Sequence, residues 1–183
     1  MAGHPTDRHP LDPRPFDDEA GCRAPSIDDG RAGREDGAMA VDVAVAAVIE
    51  RPIAQVAAYA GDPSNAPEWY RRIESAEWET QPPMRLGSRI GFRARFLGRD
   101  LDYVYEVVEM TPGEQVAMRT TEGPFPMRTT YTWRPVGDRV THMVLRNEGE
   151  PAGFAALAAP FVSILMRRAM TADLAALKRI LEA

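Results

Sequence analysis

The chain has 183 residues and a formal net charge of -5, from 22 Lys and Arg residues against 27 Asp and Glu residues. This length predicts one domain, with or without a tail. The single cysteine, Cys22, excludes an internal disulfide framework and a cysteine-based zinc site, and the acidic balance argues against general nucleic-acid binding, which needs a basic face. Because the sequence has neither an apolar run of membrane-spanning length nor a signal peptide, we expect a cytoplasmic protein without stable membrane insertion.

The first 38 residues differ in composition from the rest. Residues 1–38 hold five prolines and five glycines, and their nine acidic side chains outnumber five arginines. Such a segment buries too little apolar surface to offset the entropy of ordering it, so we predict a disordered acidic tail. One alternative is that this segment is an interaction tail. Another is that translation begins at Met39, so that the segment is not made. The predicted folded domain is therefore 39–183.

The domain opens with a strand and two short helices. Residues 41–50 form a continuous valine-rich run that predicts a largely buried strand. Pro52 suits a first helical turn, and apolar residues at helical spacing follow until Gly61-Asp62-Pro63 ends the helix. Residues 65–70 predict a second short helix, and a further strand is expected over 73–80.

The next two strands form a predicted hairpin, because residues 89–97 and 100–108 both alternate between apolar and polar side chains. A two-residue turn at Gly98-Arg99 would fix the register. The expected inner-face partners are Phe96 with Leu101, Ala94 with Tyr103, Phe92 with Tyr105, and Ile90 with Val107.

Arginines occupy the opposite face of that hairpin at strand spacing. Arg89, Arg93 and Arg95 would suit nucleic acid if they were unpaired. Asp102 and Glu106 are expected to meet them across the strands, which favours a solvated, salt-bridged surface.

Three more strands are expected over residues 115–121, 127–134 and 139–147. A two-residue turn at Gly137-Asp138 would pair Trp133 with His142 and Tyr131 with Val144.

The pattern from Gly153 onwards is helical, and its second half carries an apolar stripe through Met170, Leu174, Leu177 and Leu181. The first half is apolar nearly all round, and Pro160 is expected to bend or break it.

This order of elements resembles the helix-grip fold of the START and Bet v 1-like (SRPBCC) superfamily. More narrowly, the chain is similar over about 41–182 to the polyketide cyclase/dehydrase and lipid-transport family. The resemblance is carried by Glu50-Arg51-Pro52-Ile53, Asp62-Pro63-Ser64-Asn65, Pro67-Glu68-Trp69, Gly87 and Tyr131-Thr132-Trp133-Arg134-Pro135. It implies an α+β fold, in which a curved antiparallel seven-stranded sheet wraps around a long C-terminal helix. It also implies a cavity between sheet and helix for a hydrophobic small molecule.

Candidate ligand contacts are the apolar and aromatic side chains expected to line that cavity, although such a stripe also suits a packed core. They are Phe92, Phe96, Tyr103, Tyr105, Met118, Met127, Tyr131, Trp133, His142, Phe154, Phe161 and Leu165.

His142 is the only histidine of the predicted domain and is a candidate general acid or base. A core or rim histidine with a structural partner is the alternative. Arg146 lies four residues after His142 on the same predicted strand and is therefore also expected to point inward. It could meet a ligand carboxylate, or it could be a solvated residue at the rim.

The resemblance favours binding or carriage of a lipid or polyketide-like molecule. The alternatives are a polyketide cyclase or dehydratase acting in the same cavity, through orientation of the chain and proton transfer, and a protein-interaction module. We expect no cofactor and no metal, since the sequence has no Gly-rich phosphate loop, HExxH pair or GxSxG elbow. A monomer or weak homodimer is expected.

Overall fold

The structure, a computed structural model, describes residues 41–96, 99–149 and 159–183. The predicted tail over 1–38 and the segment that includes Phe154 lie outside the described residues, as does the side chain of Phe96. The strands are β1 (Val41–Ile49), β2 (Ile73–Trp78), β3 (Arg89–Phe96), β4 (Arg99–Thr111), β5 (Gln115–Glu122), β6 (Met127–Gly137) and β7 (Val140–Gly149). The helices are α1 (Ile53–Gly61), α2 (Ala66–Trp69), which follows a 3-10 turn at Pro63–Asn65, and α3 (Ala159–Glu182).

The seven strands form one antiparallel sheet in the order β1-β7-β6-β5-β4-β3-β2. Strands β2 to β7 follow one another as a meander, and β7, the last strand, also pairs with β1, the first strand of the chain. The sheet curls around α3, and the two short helices lie between β1 and β2 in the chain. The expected α+β helix-grip arrangement is confirmed.

Strand β1 is half-buried, whereas the sequence predicted a largely buried strand. Val41, Val43 and Ile49 are buried, but Val48 is 47% exposed. The reason is that β1 is an edge strand with one face towards α3 and the other towards solvent.

The free edge of β1 is covered by polar side chains of α3. Arg167 donates to the carbonyl oxygen of Ala44 at 2.8 Å, and Lys178 donates to that of Val48 at 2.6 Å. These bonds occupy backbone acceptors that an added strand would otherwise use.

The observed β3–β4 register differs from the predicted one by two residues. Phe92 pairs with Tyr103, and Phe96 pairs with Arg99, so Arg99 belongs to β4 and not to the turn as predicted. A shift of two residues leaves each side chain on its predicted face, because the side-chain period of a strand is two.

The β6–β7 register differs by one residue, which reverses the face of every β7 side chain. Trp133 pairs with Met143 and Tyr131 with Leu145, while His142 pairs with Arg134. The register shifts between Pro135 and Gly137, where β6 carries one extra residue. The prediction of a two-residue turn at Gly137-Asp138 did not include this bulge.

Helix α3 packs its apolar stripe against the sheet as predicted, with Met170, Leu174, Leu177 and Leu181 all buried. Its N-terminal part differs from the expectation that it would face the sheet. Phe161 is 63% exposed, and Leu165 is only half-buried. No helix among the described residues is both long and apolar enough to span a bilayer.

Candidate functional site

The inner face of the sheet brings together most of the predicted ligand contacts that the structure describes. Phe92, Tyr105, Met118, Tyr131 and Trp133 are buried in one core, and Tyr103 and Met127 are partly buried against it. Alternation along β3 to β6 puts these side chains on one face, because each strand keeps the period of two that its sequence shows.

Burial of the inner-face aromatics decreases towards the β3–β4 hairpin. Tyr103 stacks on Phe92 with ring centroids 5.6 Å apart and meets the edge of Tyr105 at 5.5 Å. Phe92 and Tyr105 are buried, whereas Tyr103 is only half-buried. Val162 and Met166 of α3 are likewise partly buried against this core. This end of the inner face is the part where a bound molecule could reach the aromatic rings.

Two hydrogen-bonded groups cross the inner face. The hydroxyls of Tyr70 and Tyr131 lie 2.8 Å apart. Tyr105 bonds the Thr129 hydroxyl at 3.0 Å, and Thr129 donates to the Asn147 side-chain oxygen at 2.8 Å. Because Thr129 has only one hydroxyl proton, Tyr105 must be the donor in the first of these bonds.

Burial keeps the inner-face tyrosines protonated. It raises the pKa of Tyr105 to about 12 and raises the pKa values of Tyr70, Tyr103 and Tyr131 above the ordinary value of 10.0. These side chains are therefore hydrogen-bond donors at neutral pH rather than bases.

Asp173 is an acidic side chain inside the fold that the sequence reasoning missed. It is only 6% exposed and accepts the backbone N–H of Arg71 at 3.1 Å. Burial raises its pKa, opposed by that hydrogen bond and by the charges of Arg72 and Arg71. Its charge in turn raises the pKa values of Tyr70 and Tyr131. An acid beside Leu174 in the apolar stripe of α3 was the signal that could have identified it.

We expect the free energy of unfolding of Asp173→Asn, relative to that of the native chain, to increase as pH rises. With its pKa raised by folding, the carboxyl releases its proton more readily in the unfolded chain, so unfolding is favoured above the ordinary pKa of 3.8. The resulting loss of stability in the native chain is absent below pH 3.8, grows as pH rises, and reaches its full size above the pKa of the folded state. Asparagine cannot ionise and keeps an acceptor for Arg71 N–H.

Urea unfolding from about pH 4 to about pH 8 measures this difference. Glu77→Gln, at an exposed position on β2, is the matched control. A stability difference between Asp173→Asn and the native chain that stays constant with pH would contradict the expectation.

The register of β7 places His142 and Arg146 on the outer face, which corrects the predicted inward orientation of both. His142 lies between Val48 of β1 and Arg134 of β6, both exposed. Arg146 donates to both carboxylate oxygens of Asp42, at 2.8 and 2.6 Å. Neither side chain faces the sheet interior, so the geometry offers His142 no part in chemistry there.

The arginines of β3 are paired, as predicted, but Glu106 forms no ion pair with them among the described residues, and Arg89 meets Glu79 and Glu122 instead. Arg93 meets Asp102 at 2.9 Å, and Arg95 meets Asp100, rather than Asp102, at 2.9 Å. These exposed pairs form a solvated, charge-balanced surface.

Comparison with known families and structures agrees with this geometry. The family model described as polyketide cyclase / dehydrase and lipid transport matches residues 40–182. A comparison with curated proteins finds no match.

Solved structures share the fold at low sequence identity. A protein from Thermus thermophilus has a TM-score of 0.66 at 22% identity and covers 75% of this chain and 94% of its own. A START superfamily protein from Mycobacterium smegmatis has a TM-score of 0.66 at 14% identity and covers 77% of this chain and 97% of its own. The Zhui aromatase/cyclase from Streptomyces sp. R1128 has a TM-score of 0.64 at 17% identity, covering 77% and 93%. The curled sheet around α3 is the fold that this chain shares with these structures, and the family match over 40–182 shows that the chain belongs to the polyketide cyclase/dehydrase and lipid-transport family.

Proposed function

We propose that the protein binds a hydrophobic or aromatic small molecule, lipid or polyketide-like, between the sheet and α3. The observation that carries this proposal is the group of three aromatic rings at the less buried end of the inner face, Phe92, Tyr103 and Tyr105. Burial of apolar ligand surface there would drive binding by about 25 cal/mol per Å2.

The polar groups at this end suit a ligand that carries oxygen atoms. Tyr103 is half-buried, and its hydroxyl has no hydrogen-bond partner among the described residues. Since its pKa is raised by burial, this hydroxyl stays protonated and can donate to a ligand carbonyl or hydroxyl. Met127 and Met166 supply flexible side chains that can adapt to the outline of a ligand.

Native mass spectrometry tests this proposal, with emodin, an aromatic polyketide, as the probe. We expect the native chain to keep a co-purified hydrophobe or to take up one emodin molecule. Met166→Trp should lower emodin occupancy about 10-fold, because the added ring fills space beside the inner-face core. Thr171→Trp, at an exposed position on the same helix, should leave it unchanged.

The proposal would be abandoned if the native chain held neither a co-purified molecule nor emodin. Equal emodin occupancy in Met166→Trp and the native chain would show that binding occurs elsewhere.

Cyclisation and dehydration of a poly-β-keto chain is a second candidate, favoured by the Tyr70–Tyr131 pair and Asp173. One hydroxyl of the pair donates to the other, which leaves one O–H to donate to a keto oxygen. The carboxylate can take a proton from the carbon between two carbonyls. That carbon would form a bond to a carbonyl carbon further along the chain, and the oxygen of this carbonyl would take the proton back from the carboxyl group to become a hydroxyl. The carboxylate would then take the second proton of the same carbon and pass it to the hydroxyl, which leaves as water while a carbon–carbon double bond forms. A cyclised product from a poly-β-keto thioester, lost in Asp173→Asn, would distinguish catalysis from carriage.

A further inference from the structure

An apolar cleft lies beside α1, at the opposite end of β4 from Tyr103. It has a volume of about 890 Å3 and is lined by Ala58 of α1, Trp78, Met84, Met110, Val116 and Trp133. Met110 lies seven residues along β4 from Tyr103, about 23 Å at the rise of a strand. The two places are therefore separate, and the volume falls in the range of small-molecule sites.

The indole nitrogen of Trp133 is a buried donor without a partner among the described residues. Trp133 is 2% exposed. Its Cη2 and Cζ2 atoms are the closest to Gly61, which also lines the cleft, at 3.5 and 3.9 Å from the position a Cβ would take there. Nε1 is joined to Cζ2 through Cε2, so its N–H lies on that same edge of the ring. A buried donor that has lost water and gained no acceptor is costly, and an acceptor in the cleft would remove that cost.

The remaining polar groups of the cleft are already engaged. Trp78 donates its indole N–H to the Ser64 hydroxyl at 3.0 Å, and Asp62 accepts the Ser64 backbone N–H at 2.9 Å. Asp62 is the only charged side chain among the described residues that line the cleft. An anionic ligand would meet this carboxylate and no cation, so the lining disfavours an anion. Most of the lining is apolar and would not replace the hydration of a cation, which favours an uncharged molecule.

We propose that this cleft binds an uncharged, ring-containing small molecule whose carbonyl or ether oxygen accepts the N–H of Trp133. The site is independent of the one proposed between the sheet and α3, and it takes a ligand of narrower chemistry. The apolar rings and methionines provide the contact area, and Trp133 fixes the orientation.

Titration with prodan, an uncharged naphthyl ketone, tests the site. The chain has three tryptophans, Trp69, Trp78 and Trp133, whose indole N–H signals can be followed by two-dimensional NMR. We expect prodan to move the Trp133 signal downfield and to leave that of Trp69, which does not line the cleft, in place. Trp133→Phe assigns the signal and should weaken binding about 3- to 10-fold, the effect of one lost hydrogen bond.

Two helix variants give an independent readout that does not alter Trp133. Ala58→Leu adds bulk inside the cleft and should weaken prodan binding about 10-fold. Gln55→Leu adds an apolar side chain at an exposed position of α1 outside the lining and should bind prodan as the native chain does.

The emodin assay separates this proposal from the one above. Ala58→Leu should leave emodin occupancy unchanged, and Met166→Trp should leave prodan affinity unchanged. The cleft is ruled out as the site if prodan fails to bind up to about 1 mM, if Ala58→Leu has no effect on it, or if Met166→Trp is the variant that abolishes its binding.

Discussion

Leu177→Ala is expected to lower the free energy of unfolding by about 2–5 kcal/mol. Leu177 is fully buried, in the stripe by which α3 packs against the sheet. The substitution removes apolar contacts and leaves a cavity that the close-packed surroundings fill only in part. Urea unfolding of both chains at one pH measures the loss directly.

Ile180→Ala is the matched control, since Ile180 lies on the same helix and is 37% exposed. We expect this control to cost no more than about 1 kcal/mol, because less surface leaves water on folding. Equal losses for the two variants would mean that α3 does not pack on the sheet by the stripe described.

Gly123→Ala is expected to destabilise the fold and to disturb the inner-face aromatics together. Gly123 has a φ of +149°, and a Cβ there would lie 2.9 Å from the Cβ of Tyr103. The backbone conformation alone costs about 1–3 kcal/mol for a residue with a side chain, and relief of the clash adds about 1–3 kcal/mol. Displacement of Tyr103 should also reduce emodin uptake.

Gly113→Ala separates the two contributions. Gly113 has a φ of +75°, but nothing lies within 4 Å of its Cβ position. Gly113→Ala should be destabilised only by the strained backbone, by about 1–2 kcal/mol, and should take up emodin as the native chain does. A loss for Gly123→Ala no greater than that for Gly113→Ala would contradict a close contact with Tyr103.

Much of the fold was predictable from local patterns. Alternation along β3 to β6 assigned Phe92, Tyr105, Tyr131 and Trp133 to one face, and the structure buries all four there. Helical spacing through Leu174 and Leu177 identified the face of α3 that packs on the sheet. These patterns are local because the period of a strand or helix is set within a few residues of backbone.

The registers were less predictable, since they depend on turns and bulges that leave weak local signals. One extra residue in β6 before the turn was enough to move His142 to the outer face and Met143 to the core. Both residues follow the turn in an alternating run of mixed polarity, so either face was compatible with the sequence. Packing against distant parts of the chain decides between them.

The polar groups of the interior depended on tertiary structure even more. Tyr70 and Tyr131 are 61 residues apart in sequence, and Asp173 accepts its hydrogen bond from Arg71 across 102 residues. No spacing rule connects such residues, because the curled sheet and α3 bring them together only when the core forms.

The sequence by itself determined the element order and the apolar faces of this protein, because side-chain periodicity is a local property. Its resemblance to a known family indicated the helix-grip class. Only the tertiary structure decided which side chains lie inside at β7. Among the described residues, it also decided that the Asp173 carboxylate is buried and that an indole N–H without a partner lies beside a cleft. Those features depend on contacts between distant segments, where a one-residue shift or a single bulge changes the environment of a side chain completely.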